Sequence, residues 1–115
     1  MLRQVLGELQ GIPGVLGSAL VAEDGFIVES TGAELGIELD FLGGPAATAL
    51  ASARALAQEL QRGEIEEVMV EYARGPLLMV PVKNYFLLLL LDSVHSLGKV
   101  RFQLKRNLPQ IMELL

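Results

Sequence analysis

The sequence predicts a three-layer α/β (α+β) domain with helices above and below one β-sheet. Three features carry that reading. The elements run helix-β-β-helix-β-β-β-helix, an Asp24-Gly25 dipeptide separates two apolar runs, and Tyr85–Leu91 is apolar on both faces. The dipeptide marks a hairpin because its turn needs a positive φ, which glycine tolerates. A strand apolar on both faces is central and covered on both sides, so helices must lie on each face of the sheet. At 115 residues the chain is sized for one domain, residues 1–115, without a linker.

Each element has its own signal. Leu2, Val5, Leu6 and Leu9 recur at helical spacing, and Gly11 with Pro13-Gly14 stops that first helix. Strands follow at Val15–Ala22 and Phe26–Ser30, and the segment 31–38 is turn-rich. From Asp40 to Arg62 the pattern is helical, with Pro45 tolerated only in a first turn. On a helical wheel Leu42, Ala46, Ala49, Ala53, Leu56 and Leu60 form the stripe expected to face the sheet. Ala47, Ala51 and Ala55 lie opposite, so the outer face shows small alanines beside Arg54 and Gln58 where charge is usual, and another backbone could approach closely.

Gly63 is read as the end of that helix, and Ile65–Ala73 alternates as a half-buried strand: Val68, Val70 and Tyr72 on one side, Glu67, Met69 and Glu71 on the other. Arg74-Gly75 turns the chain into a strand at 76–82, and Lys83-Asn84 turns it into the two-faced strand. Asp92 or Ser93 caps the last helix, in which Val94, Leu97, Leu104, Leu108, Ile111 and Leu115 recur and Pro109 kinks or restarts the chain.

Composition narrows the function. The hydrophobic fraction of 51% and mean hydropathy of +0.44 are high for a chain without a membrane span, which suggests apolar surface covered by a partner. The longest apolar run is far short of the roughly 20 residues of a transmembrane helix, so no membrane insertion is expected. The first residues lack the apolar core and cleavage site of a secretory signal, and the chain has no cysteine; a cytoplasmic protein is expected. A net charge of −5 opposes nucleic-acid phosphate, and Lys99, Arg101, Lys105 and Arg106 read as a solvated helix face.

No set of residues assembles an active site, so the protein is expected not to be an enzyme and to need no cofactor or metal. His95 is the sole histidine and has no patterned acid or serine partner. Glu64, Glu66, Glu67 and Glu71 follow the polar period of a strand without metal-ligand spacing elsewhere. Gly43-Gly44-Pro45 lacks the Gly-Lys-Ser/Thr ending of a phosphate loop and reads as helix initiation.

The string Ile12-Pro13-Gly14-Val15-Leu16-Gly17-Ser18-Ala19-Leu20-Val21-Ala22-Glu23-Asp24-Gly25-Phe26-Ile27-Val28, followed by the helix, three strands and helix, resembles the roadblock/LC7 family over almost the whole chain. The resemblance implies a five-stranded antiparallel sheet of roadblock/profilin-like shape, with the second helix on one face and the first and third on the other. It also implies a dimer made by pairing third strands and packing second helices side by side. Applied to this sequence, that places Glu67, Val68, Met69, Val70, Glu71 and Tyr72, with Ala47 and Ala51, in a homodimer interface. An unpaired third strand would otherwise be an aggregation hazard, which pairing with its own copy removes. Val70→Pro is therefore expected to give monomers or aggregate, checked by light scattering, because proline removes a strand donor.

Bacterial and archaeal members of such a family regulate or scaffold Ras-like GTPases, including the gliding-motility type, without supplying an arginine finger. The resemblance thus implies a non-catalytic homodimeric binding domain that docks a small Ras-like GTPase, with Arg54, Ala55, Gln58 and Arg62 as contact residues. The alternative is a structural adaptor of a larger complex that leaves nucleotide hydrolysis alone. A ligand sensor is a third reading, for which the sequence offers no polar cluster.

Overall fold

The computed structural model describes residues 1–32 and 38–115. Helix α1 spans Leu2–Gln10; strands β1 (Val15–Ala22) and β2 (Ile27–Thr31) form the predicted hairpin; a 3-10 turn at Leu39–Phe41 leads into helix α2 (Gly43–Leu60). Strands β3 (Val68–Tyr72), β4 (Gly75–Val82) and β5 (Tyr85–Leu91) follow, then a 3-10 turn at Val94–Ser96 and helix α3 (Leu97–Glu113). The strands make one antiparallel sheet in the order β2-β1-β5-β4-β3. β5 is central, as its two apolar faces require. Residues 33–37 of the turn-rich 31–38 segment lie outside the described residues.

The two faces of the sheet build two cores. Leu78, Val80, Val82, Leu87, Leu89 and Leu91 point toward α1 and α3, meeting Val5, Leu6 and Leu9 of α1 and Val100, Leu104 and Ile111 of α3. On the other face Ala19, Val21, Met79, Phe86 and Leu88 meet Ala46 and Leu50 of α2. The buried Ser18 hydroxyl ties α1 to the sheet, with its oxygen 3.1 Å from the Leu6 carbonyl and 2.7 Å from the Thr31 hydroxyl.

The β1–β2 connection forms as the Asp-Gly signal predicts. Gly25 adopts φ +94°, and the Phe26 amide donates to the Asp24 carboxylate at 3.0 Å. That turn also fixes α2. A Cβ on Gly43 would lie 1.9 Å from the Gly25 carbonyl oxygen, so the helix can touch the turn only where it has no side chain. Gly43-Gly44-Pro45 therefore starts the helix and also seats it. Gly43→Ala should lift this end of α2 and cost about 1–3 kcal/mol by overpacking, read as a lower midpoint in thermal unfolding; an unchanged midpoint would show that the contact relaxes freely.

The seat determines which face of α2 turns inward, and it corrects the expected stripe. With Gly43 against Gly25, the buried positions are Gly43, Ala46 and Leu50. Leu42, Ala49 and Ala53 fall on a half-buried flank about a quarter turn away, and Leu56 and Leu60, expected to face the sheet, are each 63% exposed. Ala47, expected on the outer face, is half-buried against the α2-side core, while Ala51 and Ala55 are exposed.

The structure also differs from the sequence pattern along β3, α2 and α3. The third strand, expected from Ile65, begins at Val68, and its ladder with β4 runs from Val68↔Met79 to Tyr72↔Gly75. Ile65 turns toward the α2-side core instead, and Pro81 on β4 has no amide to extend the ladder. α2 ends at Leu60, before Gly63, because Gln61 takes the left-handed conformation with its amide donating to the Ala57 carbonyl. α3 neither breaks nor restarts at Pro109. The carbonyl that the proline leaves without a donor belongs to Lys105, which is exposed and can be solvated. Ser93, expected to cap the last helix, caps the 3-10 turn before it, its side chain accepting from the His95 amide at 3.1 Å; α3 itself starts after Ser96, whose side chain makes no capping bond and donates to Asp92 at 2.9 Å.

Candidate functional site

Among the described residues β3 lies at one edge of the sheet and has a neighbour only in β4. Its Val68 and Val70 pack against the α2-side core, Tyr72 is exposed, and Met69 and Glu71 project toward the α3 side and are exposed. Glu67 is clasped by Arg101 of α3, whose Nε reaches Oε1 at 3.1 Å while Nη2 contacts Oε2. The hydrogen bond to Glu67 raises the arginine's pKa; desolvation opposes it, and the carboxylate's charge adds a smaller upward push. Glu67, expected at the dimer contact, is thus already paired within its own chain. The Arg101 side chain is 44% exposed, so the pair orients β3 against α3 and adds little stability.

The neighbouring helix α2 is unusual in its second half. From Ala51 to Leu60 it has no buried residue, yet Leu56 and Leu60 stand in solvent. An isolated helix of that length is marginal in water, and two exposed leucines one turn apart give it an apolar surface that no other described residue covers.

On its other flank α2 faces a cleft. Arg54, Ala57 and Gln58 line one wall, Glu64 and Ile65 the loop beyond the helix, and Pro81 and Lys83 the sheet side, enclosing about 560 Å³. Arg54 donates to Glu23 of the β1–β2 turn at 3.1 Å, which ties that turn to the middle of the helix. Of the four expected contact residues, the cleft gathers Arg54 and Gln58; Ala55 and Arg62 are exposed outside its lining. Lys83, the cationic residue opposite Arg54, was missed because its turn read only as a hairpin. Its φ of +56° is the one signal of a special position there, and that is a property of the backbone. The exposed Leu56 and Leu60 were missed because the wheel stripe passed over Leu50. Among the described residues no group of three or more metal-ligating side chains is gathered, and no helix is long and apolar enough to cross a membrane.

An antiparallel five-stranded sheet between one helix and a pair, with an open edge strand beside an incompletely covered helix, defines a small α+β domain of the roadblock type. The chain belongs to the roadblock/LC7 family: the family model matches residues 1–92. Two uncharacterized proteins of Methanocaldococcus jannaschii are each 32% identical to it over 111 residues, covering 96% of this chain and 96% of the relative. Among solved structures, Myxococcus xanthus MglB superposes with a TM-score of 0.90 at 24% identity, over 98% of this chain and 93% of that one. The gliding protein MglB of Thermus thermophilus gives 0.84 at 26% identity, over 99% and 90%.

Proposed function

We propose that the protein is a non-catalytic homodimeric docking domain that binds a small Ras-like GTPase and regulates its nucleotide cycle in the cytoplasm. The observation that carries the reading is the open β3 edge beside an α2 whose Leu56 and Leu60 are exposed. A second copy covers both. Antiparallel pairing of β3 with its twin, about a two-fold axis perpendicular to the sheet, continues the ladder through Val68–Tyr72 and sets the two α2 helices on the same face. Glu67 joins this contact from its pairing with Arg101, whereas Ala47 and Ala51, the small residues expected at the seam, lie on the other flank of α2 beside Arg54 and Gln58 and would meet a partner only if that flank is the one covered.

The GTPase half of the proposal rests on the similarity to MglB and on the surface left free. Arg54, Gln58 and Lys83 face one cleft, and Ala55 and Arg62 extend the exposed part of α2 beside it. Arg54 is held by Glu23, which suits a fixed contact residue better than a mobile arginine finger.

The test is the hydrolysis rate of a Ras-like GTPase from the same organism, measured with and without the protein. A rate change lost in Gln58→Ala and Arg62→Ala variants supports regulation. Binding with an unchanged rate would assign the same surface to a structural adaptor, and no binding to any such GTPase would sink the proposal.

A further inference from the structure

The charges of this chain are unevenly placed. The helical pair α1 and α3 carries five cations and two acids, whereas the remainder of the chain carries four cations and twelve acids. Lys99, Phe102 and Arg106 lie on the outward face of α3, with Phe102 61% exposed and the Arg106 guanidinium 5.9 Å from its ring centroid. Lys105 is exposed beside them. The cation–π contact holds an aromatic ring and a cation together at the surface, where neither has another partner within the chain among the described residues.

A surface of opposite character lies at the other edge of the sheet. Asp24 in the β1–β2 turn and Glu38 and Asp40 near the 3-10 turn are exposed, and with them stand Phe26, 70% exposed, and Phe41, 76% exposed. They form one region because the 3-10 turn lies against β2 and Gly43 sits on Gly25. Glu23 does not contribute, since Arg54 already engages it.

We infer that the basic aromatic face of α3 docks on the acidic aromatic β2 edge of a second copy, joining dimers into larger assemblies. Each surface supplies what the other lacks: cations against acids around exposed phenylalanines, the arrangement of a polar rim about an apolar centre. The overall charge of −5 does not prevent this. The molecule measures 38 × 34 × 28 Å, and charges are screened over about 8 Å at physiological salt, so facing patches interact locally while acids on the far side are hidden. Because the two surfaces differ, the contact is head-to-tail and repeats from one dimer to the next. It uses neither β3 nor the leucine flank of α2, and it takes the proposed dimer as its building block.

Sedimentation velocity at 0.15 M salt tests it with two charge-reversed proteins, Lys99→Glu/Arg106→Glu and Glu38→Lys/Asp40→Lys. The unmodified protein is expected to grow beyond dimer mass as its concentration rises. Each variant alone should associate at least about tenfold more weakly, because it sets like charges against each other. A 1:1 mixture should recover association, since the reversed surfaces are then complementary to one another. Unmodified protein that stays a dimer at every concentration overturns the inference, as do variants that associate undiminished or a mixture that does not recover. Unmodified protein that stays dimeric but sediments with phosphatidylserine vesicles also overturns it and assigns the α3 face to anionic lipid. Growth in steps of a monomer would count against β3 pairing alone and leave the α3 contact standing.

Discussion

Replacing Leu56 and Leu60 together by glutamate is expected to convert the proposed dimer into a folded monomer. Both side chains are exposed on the single chain, so the change removes no contact from either core. In a two-fold interface every substitution acts twice, and four leucines are lost from the seam. At about 1.5–3 kcal/mol for each well-buried leucine, partial burial of the four is already worth several kcal/mol. We therefore expect association to weaken by at least about a thousandfold, roughly 4 kcal/mol. Light scattering should give half the native mass at micromolar concentration, with an unchanged far-ultraviolet circular dichroism spectrum. A native mass would remove the leucine flank from the interface. Ala51→Glu then locates the contact, because Ala51 lies on the nearly opposite flank of the helix. A dimer that survives the leucine changes but not Ala51→Glu would place the alanine flank at the seam.

The contrast between these two variants arises from what the sequence could convey about α2. Its existence was legible, since Gly43-Gly44-Pro45 opens it and a helical run follows, although the run expected from Asp40 to Arg62 is shorter at both ends, Gly43–Leu60. Its rotation was not. The helix is rich in alanine, so burying one flank or another changes the apolar area little, and the periodic signal has no sharp maximum. What sets the rotation is a contact distant in sequence, Gly43 on the Gly25 carbonyl. By contrast β5 was legible to the residue, because a strand apolar on both faces has one place to go in a three-layer fold.

The same distinction applies to the candidate site. The family resemblance implied a role for the third strand, and the topology places that strand at the edge of the sheet. The ion pair that occupies Glu67 was hidden, because its partner Arg101 is 34 residues away in the sequence. That Arg54 and Lys83 line one cleft was hidden for the same reason: they are far apart in the sequence and are brought to it by the packing of α2 beside the β4–β5 turn.

Phe86→Ala should produce the largest loss of stability on the α2 side. Phe86 is fully buried on the central strand, between Val21 of β1 and Pro81 of β4 in the register, and it belongs to the core that receives Ala46 and Leu50. A buried phenylalanine cut to alanine costs about 3–5 kcal/mol, the lost transfer energy adding to that of the cavity. In a domain of this size that is a fall of about 10–20 °C in the unfolding midpoint. The loss should also be directional. α2 reaches this core only through small or single side chains, so a cavity beneath it should release the helix before the sheet opens. Hydrogen exchange should therefore show the amides of α2 losing protection ahead of those of β5. Leu104→Ala, in the core on the opposite face, serves as the comparison and should lower the midpoint while leaving α2 protected relative to α3. If α2 and β5 exchange together in Phe86→Ala, the helix and sheet unfold as one unit. The weak anchoring of α2 on its own chain would then no longer be an argument for a partner that covers it.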